Sequence, residues 1–368
     1  MIKDVLQVKK NSHFEHFLKF IMGKKGIFVC TIATTKTAEI EGISAAGATP
    51  ELRRYTAQAD VEYLFYEKPI TIPEIPKNPL GPPSPVVITK AALNLLKVPV
   101  IIIDGGCEIK AKVPQFIFRE KGLNCITTGK AFENGEVLFE QADKLAVELS
   151  KFDSYVVIGE SVPGGTTTAL SLMTAFGIDA EGKVSSSMKE NAHDIKKETV
   201  KRALKRANIK KDDVEKEPLK VVEKIGDSMQ IINAALAMRL SHRVPVILAG
   251  GTQLIAVVCL MNMLERAKGY KVCWENISLI TTRWVAEDRT ADFRGLSEKV
   301  AEKITVLAAN LNFSKSRFQA LRMYEKGLVK EGVGAGGIAG AGFLTNSFTF
   351  PELMNEIESL YEKMGKGK

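Results

Sequence analysis

The sequence predicts an α/β protein with a doubly wound, mainly parallel, Rossmann-like sheet and a smaller helical part formed by the two chain ends. Two observations predict this class. Short apolar runs rich in Val and Ile alternate with longer amphipathic segments from residue 86 onward, and aromatic residues are sparse. Strands that are apolar along their whole length belong in parallel sheets covered by helices on both faces.

The first elements follow from periodicity and β-branched content. The amphipathic segment 12–23 predicts a helix, and the β-branched run GIFVCTIATT at 26–35 predicts a buried strand. Residues 41–64 predict a small-residue loop followed by a strand-like segment. The proline-rich stretch 68–85 should cross a surface or link two parts, because proline lacks the N–H that a helix or a central strand needs.

From residue 86 the same criteria predict alternating strands and helices. The predicted strands are 98–106, 154–159, 244–248, 277–282 and 304–308. The predicted helices are 135–150, 166–176, two or three over 188–241, 252–266, 293–302, 314–327 and 350–364, with a glycine-rich loop at 331–342 before the last. The proline-rich stretch then divides the chain into an N-terminal segment 1–85 that forms a cap or partner surface, an α/β domain 86–342, and a C-terminal helix 343–368 that packs on the smaller part.

Charge and cysteine content narrow the functional class. The net charge of +8 is scattered, without a basic stripe interleaved with aromatic residues, which favours small anionic substrates or plain solubility over nucleic acid. The five cysteines are odd in number and no pair has the spacing of a metal knuckle, so they are predicted to be reduced residues of a cytoplasmic protein. His193 and His242 lack a second ligand at metal-binding spacing, and neither a signal peptide nor a membrane-spanning run is found. We therefore expect no metal, no cofactor and no membrane contact.

The segment VVIGESVPGGTTTAL at 156–170 has the form of a phosphate-binding loop without its lysine. A strand-like run leads into Gly159, and Gly164 and Gly165 precede the hydroxyls of Thr166 and Thr167 at a predicted helix start. Backbone N–H groups and the helix dipole bind anions without a side-chain charge, at the carboxyl ends of parallel strands. Because Gly165 stands where the lysine would be, we expect a single phosphate, as on a mononucleotide; a tight turn that needs glycine only for packing is the alternative.

Further glycine-rich segments follow other predicted strands. In LVKEGVGAGGIAGAG at 328–342, Glu331 enters a flexible glycine-rich loop, and a carboxylate in an apolar cleft acquires a pKa near neutrality, which suits a general base. An exposed glutamate beside a linker is the alternative, and this segment taken alone favours it. The segments 101–107 and 244–254 also end in glycine pairs, so several strand ends are predicted to share one ligand crevice. The polar residues after strand 277–282, among them Glu287, predict a solvated loop unless they face that crevice.

With these segments in order, the chain resembles the nicotinate-nucleotide–dimethylbenzimidazole phosphoribosyltransferases of cobalamin assembly, above all their archaeal branch. GESVPGGTTTAL (159–170) is similar to the phosphate loop of that family, and KEGVGAGG (330–337) resembles the stretch that holds its catalytic glutamate. Residues 217–251 resemble its run from a Pro-Leu helix to a Val-Pro-Val strand and a glycine pair. The resemblance spans 98–342, and 42–52 resembles the archaeal relatives.

The resemblance implies transfer of ribose 5-phosphate from nicotinate mononucleotide to a benzimidazole-type base, for cobamide nucleotide loop assembly, by a homodimer. Glu331 would be the general base that removes the azole proton. The phosphate and nucleotide would be bound by Gly159, Glu160, Gly164, Gly165, Thr166, Thr167, Glu287, Gly332 and Gly334. The base pocket would use Ser44, Asp104, Gly105 and Gly250, with residues 1–85 helping to shape it.

Four positions depart from the family pattern. Ala249 replaces an Asp after the Val-Pro-Val strand, Val285 and Asp288 replace the Ser and Pro of a Ser-Ala-Glu-Pro segment, and Lys330 replaces a Gly. These departures leave open a non-catalytic protein of the same fold that binds a nucleotide or a cobamide precursor. A Rossmann dehydrogenase is disfavoured, because no G-x-G-x-x-G follows the first strand with an acidic residue about twenty positions later.

Overall fold

The computed structural model describes residues 3–76 and 81–366 of the chain. In this part of the chain eight strands form one sheet in the spatial order β1-β8-β7-β6-β5-β2-β3-β4. The strands are β1 (Val5–Lys9), β2 (Gly26–Ile32), β3 (Val100–Asp104), β4 (Phe116–Ile117), β5 (Tyr155–Ser161), β6 (Val246–Ala249), β7 (Ile277–Thr282) and β8 (Thr305–Ala309). The edge strand β1 pairs antiparallel with β8, and the other neighbours pair in parallel.

Fifteen α-helices accompany the sheet within the described residues. They are α1 (Phe14–Ile21), α2 (Thr56–Tyr66), α3 (Val86–Leu96), α4 (Gly135–Leu149), α5 (Gly165–Ala175), α6 (His193–Ala207), α7 (Lys211–Lys216), α8 (Pro218–Ile225), α9 (Ser228–Leu240), α10 (Thr252–Lys268), α11 (Arg283–Ala286), α12 (Phe293–Val300), α13 (Gln319–Arg322), α14 (Ala335–Leu344) and α15 (Phe350–Lys366).

The sheet lies between two hydrophobic cores, so consecutive residues of a central strand face opposite layers. Val156 and Ile158 of β5 belong to one core, and Tyr155 and Val157 belong to the other. Helices α4, α5, α6, α8, α9, α10 and α12 cover the first face, and α1, α2, α3, α14 and α15 cover the second. The second layer comes from the two chain ends, which confirms the predicted doubly wound sheet with a smaller helical part.

The order of the strands reverses next to β2. The chain proceeds from β2 to β3 and β4 on one side, whereas β5 pairs with the other side of β2 and is followed by β6, β7 and β8. The division predicted at residue 85 leaves β2 outside the α/β domain, but the structure pairs it with both β3 and β5, because all seven of its residues are buried. Ligands of open α/β sheets bind at such a reversal, beside the carboxyl ends of the strands.

The strand-like segment predicted within 41–64 is wrong, since residues 56–66 form helix α2. Apolar and polar residues alternate from Ala57 to Tyr63, a pattern that predicts a strand with one solvent face. In the structure both sets are buried, and the polar ones have partners: Glu62, for example, accepts hydrogen bonds from the backbone N–H groups of Ile70, Thr71 and Lys112.

The glycine-rich loop predicted at 331–342 is also wrong beyond residue 334, because α14 begins at Ala335. Its glycines let the helix lie directly on the sheet. A Cβ on Gly336 would lie 2.1 Å from the backbone carbon of Thr281, and one on Gly337 would lie 2.1 Å from the Cβ of Ala249. Close packing therefore stabilises a helix whose glycine content disfavours it in isolation.

Two smaller differences have local causes. The region 188–241 contains four helices instead of two or three, and a capping box of Asp227 with Gln230 separates the last two. The helix predicted at 314–327 is reduced to α13 and a 3₁₀ turn at Met323–Lys326, because side chains such as Ser316 satisfy nearby backbone N–H groups instead. Residues 77–80 of the proline-rich stretch lie outside the described residues.

Candidate active site

A cleft opens beside the carboxyl end of β5, next to the strand reversal. Its walls come from the turn after β5, from residues 43–47 with the start of α2, from the end of the proline-rich stretch, and from the turn before α14. Glu331 and residues 160–166 line this same cleft. The structure thus brings together the two segments on which the sequence-based hypothesis depends.

Glu331 lies just before the N-terminal end of α14, and its side chain is partly buried in the wall of the cleft. Its Oε1 accepts hydrogen bonds from the N–H groups of Gly332 and Gly336, each at 3.1 Å, and its Oε2 accepts one from Thr281 Oγ1 at 3.2 Å. Burial raises the pKa of Glu331 to about 7, although these hydrogen bonds oppose the rise. The carboxylate therefore anchors the start of α14 and also has the acidity of a general base that works near neutral pH.

The turn between β5 and α5 contains the predicted phosphate loop. Gly164 adopts a φ of +81°, a left-handed conformation that favours glycine. The N–H groups of Gly165 and Thr167 are used inside the turn, where they donate to Val162 O and Gly164 O at 2.9 Å. The Thr166 residue, in contrast, lines the cleft and a second, adjoining cavity.

Helix α6 supplies the cation that the loop sequence lacks. Lys196 is fully buried, and its Nζ donates a hydrogen bond to Thr166 Oγ1 at 2.9 Å. Burial, together with the charge of Lys330, lowers the pKa of Lys196 to about 7, while the charge of Asp288 opposes this. No ion pair with a carboxylate is formed by Lys196 within the described residues. A buried ammonium without a counterion is unfavourable, so an anion bound at Thr166 would stabilise its charged form.

The adjoining cavity shares six lining residues with the cleft: Glu160, Thr166, Ser186, Ser187, Gln253 and Glu331. Its other walls include Ser185 and Lys330. Lys330 pairs with Asp288 at 2.6 Å, and both side chains are almost fully buried. Burial raises the pKa of Asp288, but hydrogen bonds from Lys330 and Ser185 outweigh this and bring it to about 2.

Glu160 lines both cavities and is fixed by its own turn. Its Oε2 accepts a hydrogen bond from Val162 N at 2.8 Å, and its Oε1 accepts one from Gln253 Nε2 at 3.0 Å. Burial raises the pKa of Glu160 to about 8, and the charges of Glu331 and other acids add to this. The Oε1 atom of Gln253 is buried without a hydrogen-bond partner among residues 3–76 and 81–366. This unpartnered acceptor lies against Gly165 of the turn, where a Cβ would be 1.7 Å from it.

Of the remaining predicted residues, Ser44 and Gly332 line the cleft. Gly159 and Gly334 do not, but they pack against each other: a Cβ on Gly159 would lie 3.0 Å from Gly334 Cα. Their lack of side chains lets the turn before α14 approach β5, so they position Glu331 indirectly. Thr167 is buried in α5 away from both cavities, with its hydroxyl unpartnered in the described part of the chain.

Four predicted residues lie elsewhere, because each serves a local contact. Glu287 is exposed and pairs with Arg283 at 3.3 Å. Asp104 accepts hydrogen bonds from the N–H groups of residues 106 and 107 and pairs with a lysine at 2.8 Å, so it closes its own turn. Gly105 and Gly250 donate their N–H groups to carbonyls of neighbouring strands. None of the four lines either cavity.

Several lining or supporting residues escaped the sequence-based search. They are Asp60, Ser84, Ser161, Lys196 and Gln253 together with serines 185–187. For Lys196 a signal exists: it shares the buried stripe of α6 with Val200, Ala203 and Ala207. A lysine at an apolar position of an amphipathic helix indicates a buried charge. The isolated polar residues of the other segments carry no comparable signal.

Two of the departures from the family pattern have a structural context. Ala249 contacts the glycine-rich face of α14, since a Cβ on Gly337 would lie 2.1 Å from its own Cβ. A larger side chain at residue 249 would therefore push α14 away from the sheet. Val285 lines the adjoining cavity, where the family has a hydroxyl.

The described part of the chain lacks membrane-spanning helices and metal-binding clusters. None of its helices combines the length and the apolar character needed to span a membrane. Within residues 3–76 and 81–366, no three His, Cys, Asp or Glu side chains form a group able to hold a metal ion. All five cysteines are free, and three of them are buried.

The fold is similar to a solved transferase structure. A crystal structure of nicotinate-nucleotide–dimethylbenzimidazole phosphoribosyltransferase from Thermus thermophilus aligns with 97% of this chain and 92% of its own, with a TM-score of 0.58 and 16% sequence identity. The resemblance predicted from the sequence is thereby confirmed for the fold.

Sequence relatives show much higher identity than the solved structure. A UPF0284 protein of Methanothermobacter thermautotrophicus is 39% identical over 88% of this chain and 89% of its own length. A UPF0284 protein of Crocosphaera subtropica is 42% identical over 91% of each chain. No model of a known protein family matches the sequence. Identity at this level over nearly the whole length means that the chain belongs to the UPF0284 family.

Proposed function

We propose that the protein transfers ribose 5-phosphate from nicotinate mononucleotide to a benzimidazole-type base, giving an α-riboside 5′-phosphate and nicotinate. The observation that carries this proposal is that the Glu331 carboxyl group, with its raised pKa, lies in the same cleft as the 160–166 turn. Support also comes from the fold, which is similar to that of a phosphoribosyltransferase with this specificity. The homodimer and the cytoplasmic location predicted from the sequence are part of the proposal, and light scattering tests the former.

The phosphate of the donor would bind at Thr166. The hydroxyl of that residue lies next to the buried ammonium of Lys196, whereas the charge of Lys330 in the adjoining cavity is neutralised by Asp288. A phosphate monoester between these groups gains charge-assisted hydrogen bonds and removes the penalty of an uncompensated buried cation. This arrangement needs no metal ion, because pyrophosphate is not the leaving group.

The ribose would lie between the phosphate site and Glu331. The unpartnered Oε1 of Gln253 would accept a hydrogen bond from a ribose hydroxyl, and Glu160 keeps this side chain in place through its hydrogen bond to Nε2. Holding donor and acceptor in reactive geometry supplies most of the acceleration expected for such a reaction.

Glu331 would act as the general base. One nitrogen of the azole forms a bond to C1′ of the ribose while the bond from C1′ to the pyridinium nitrogen breaks, with inversion at C1′. The electron pair of the broken bond neutralises the pyridinium ring, which leaves as nicotinate. The N–H proton of the azole passes to the Glu331 carboxylate. General base catalysis of this kind contributes about 10²–10⁴-fold.

Incubation with nicotinate mononucleotide and a mixture of benzimidazoles and purines, followed by mass analysis, tests the proposal. We expect nicotinate and a riboside phosphate of at least one base from the wild type, and a strongly reduced yield from Glu331→Gln. Calorimetric binding of nicotinate mononucleotide without any product would favour the non-catalytic binding protein. Neither binding nor product would refute the assignment of this cleft.

A further inference from the structure

A third buried acid, Asp60, lies in the cleft apart from Glu160 and Glu331. It lies on α2 and is only 2% exposed, yet it contributes to the lining of the cleft. Burial raises the pKa of Asp60 to about 7, against the effect of its hydrogen bonds. The proposed transfer uses one carboxylate as base and a second to fix the turn, so the chemistry does not require Asp60.

The carboxylate of Asp60 is held by hydroxyl groups and not by a cation. Ser84 Oγ donates to its Oδ1 at 2.7 Å, and Ser161 Oγ donates to its Oδ2 at 2.9 Å. No ion pair of Asp60 is found in the part of the chain that the structure describes. Each carboxylate oxygen can accept two hydrogen bonds, so each has the capacity for one further donor.

The surrounding wall indicates which part of a ligand Asp60 meets. It is formed by residues 43–47, Pro76, Ser84 and Pro85, on the side of the cleft contributed by the first part of the chain. The groups near the proposed phosphate site lie on different segments: Thr166 is at the start of α5, and serines 186 and 187 precede α6. No aromatic side chain from residues 3–76 or 81–366 lines the cleft, so a flat heterocycle gains no ring stacking there. Its orientation must depend on hydrogen bonds and on aliphatic contacts.

We propose that Asp60 determines acceptor specificity by accepting a hydrogen bond from a donor group on the six-membered ring of the base. The cleft then selects a heterocycle with an amino or hydroxyl substituent over one that carries only methyl groups. This inference rests on the proposed function. The six-membered ring of the acceptor base would lie next to Asp60, and the azole N–H of the same base would face Glu331. A site built around a buried acceptor discriminates strongly against an analogue that leaves the acceptor unpaired.

A pair of acceptors of equal size tests the inference. 5-Aminobenzimidazole and 5-methylbenzimidazole differ by an NH₂ group in place of a CH₃ group. With saturating nicotinate mononucleotide, we expect the wild type to show a kcat/KM ratio of about 10–100 in favour of the amino compound, the range for one hydrogen bond to a charged group. Asp60→Asn should reduce this ratio to a few-fold, and Asp60→Leu should reverse it.

Asp227→Asn is the matched control, because Asp227 is a buried carboxylate that accepts a hydrogen bond from the Thr168 hydroxyl and lines neither cavity. It should leave the ratio unchanged even if it lowers the melting temperature. Thermal unfolding of all variants identifies any that fail to fold. If Asp60→Leu does not fold, Asp60→Asn still tests the inference, because the amide keeps the shape of the side chain and one acceptor oxygen. A wild-type ratio near one, or equal losses on both acceptors in Asp60→Asn, would overturn the inference.

Failure of the proposed function is distinguishable from failure of this inference. If the wild type forms no product with either acceptor, calorimetry still measures the affinity of each benzimidazole for the wild type and for Asp60→Asn. The difference between the two proteins reports the hydrogen bond to Asp60. A preference for the amino compound that disappears in the variant would support the role of Asp60 in a binding protein. Equal binding of both compounds by the wild type would refute it, whatever the reaction.

Discussion

Replacing Glu331 by Gln should increase stability at alkaline pH while it removes activity. The amide keeps the geometry: its Oε1 accepts from the N–H groups of Gly332 and Gly336 as the carboxylate does, and its Nε2 can donate to Thr281 Oγ1. What changes is the charge, since a buried carboxylate must ionise without a cation bonded to it. The substitution therefore isolates the energy of that ionisation.

The magnitude follows from the pKa of Glu331. Its rise from 4.5 to about 7 corresponds to roughly 3 kcal/mol, at about 1.4 kcal/mol for each tenfold change in the ionisation constant. Because the raised pKa means that the folded protein binds the proton more tightly than the unfolded chain, this group stabilises the fold below pH 4.5. That contribution is lost as the pH rises through 7. The Gln variant has no such loss, so its free energy of unfolding relative to wild type should increase by about 3 kcal/mol between pH 4.5 and pH 8.

Urea unfolding at several pH values measures this difference, and the titration of Asp60 and Glu160 largely cancels because both proteins contain them. Glu352→Gln is a control of opposite sign. The pKa of that exposed side chain is lowered by hydrogen bonds from Thr349, so its stabilising effect is present near neutral pH and is lost on acidification. If Glu331→Gln and wild type differed by the same free energy at about pH 5 and about pH 8, the description of Glu331 as a buried, unpaired carboxylate would be incorrect.

Kinetics provides the second half of this prediction. A base with a pKa of about 7 is only about one-tenth ionised at pH 6, so kcat at saturating nicotinate mononucleotide, where the bound phosphate keeps Lys196 charged, should rise roughly tenfold between pH 6 and pH 8. Glu331→Gln should lower turnover by about 10²–10⁴-fold at all pH values. Turnover at the wild-type rate in the purified variant would rule out Glu331 as the base.

Three further outcomes follow from the same geometry. Lys196→Met should weaken binding of nicotinate mononucleotide about 10–100-fold in calorimetry, whereas Lys205→Met, on the exposed face of α6, should leave the affinity unchanged. Equal affinities of the wild type and Lys196→Met would show that Lys196 does not contribute to the phosphate site. Gly336→Ala should lower the unfolding free energy by about 1–3 kcal/mol, because its Cβ would lie 2.1 Å from a backbone carbon of β7, and wild-type stability would contradict the close packing of α14. Gly165→Lys should not hydrolyse ATP in a phosphate-release assay. A Cβ at residue 165 would lie 1.7 Å from Gln253 Oε1, and no acidic residue is expected to hold the Mg²⁺ that ATP hydrolysis needs. Measurable hydrolysis would contradict the interpretation of the loop.

Patterns local to one element were predicted correctly. The β-branched runs indicated β2, β3 and β5 to β8, because a strand buried on both faces must be apolar along its length. The glycine-threonine motif was selected because glycine marks places where the backbone turns sharply or approaches another segment, and this motif lines the cleft together with Glu331. The prediction was incorrect where burial depends on distant partners. Helix α2 has a strand-like alternation, and α14 has the composition of a loop, yet packing against the sheet makes both helical.

The sequence by itself determined the layered α/β architecture and the turn after β5, since these depend on side-chain periodicity and on the conformational freedom of glycine. Glu331 was selected through the resemblance of its glycine-rich segment to a known family. Only the tertiary structure decided which charges meet in the cleft. Lys196, which lies thirty residues beyond Thr166 on helix α6, supplies the cation that the loop lacks. Asp60, which lies on helix α2 in the N-terminal part of the chain, lines the same cleft. Such pairings arise because the sheet brings the ends of several strands to one edge, and a single sequence records no signal of which side chains will face one another across it.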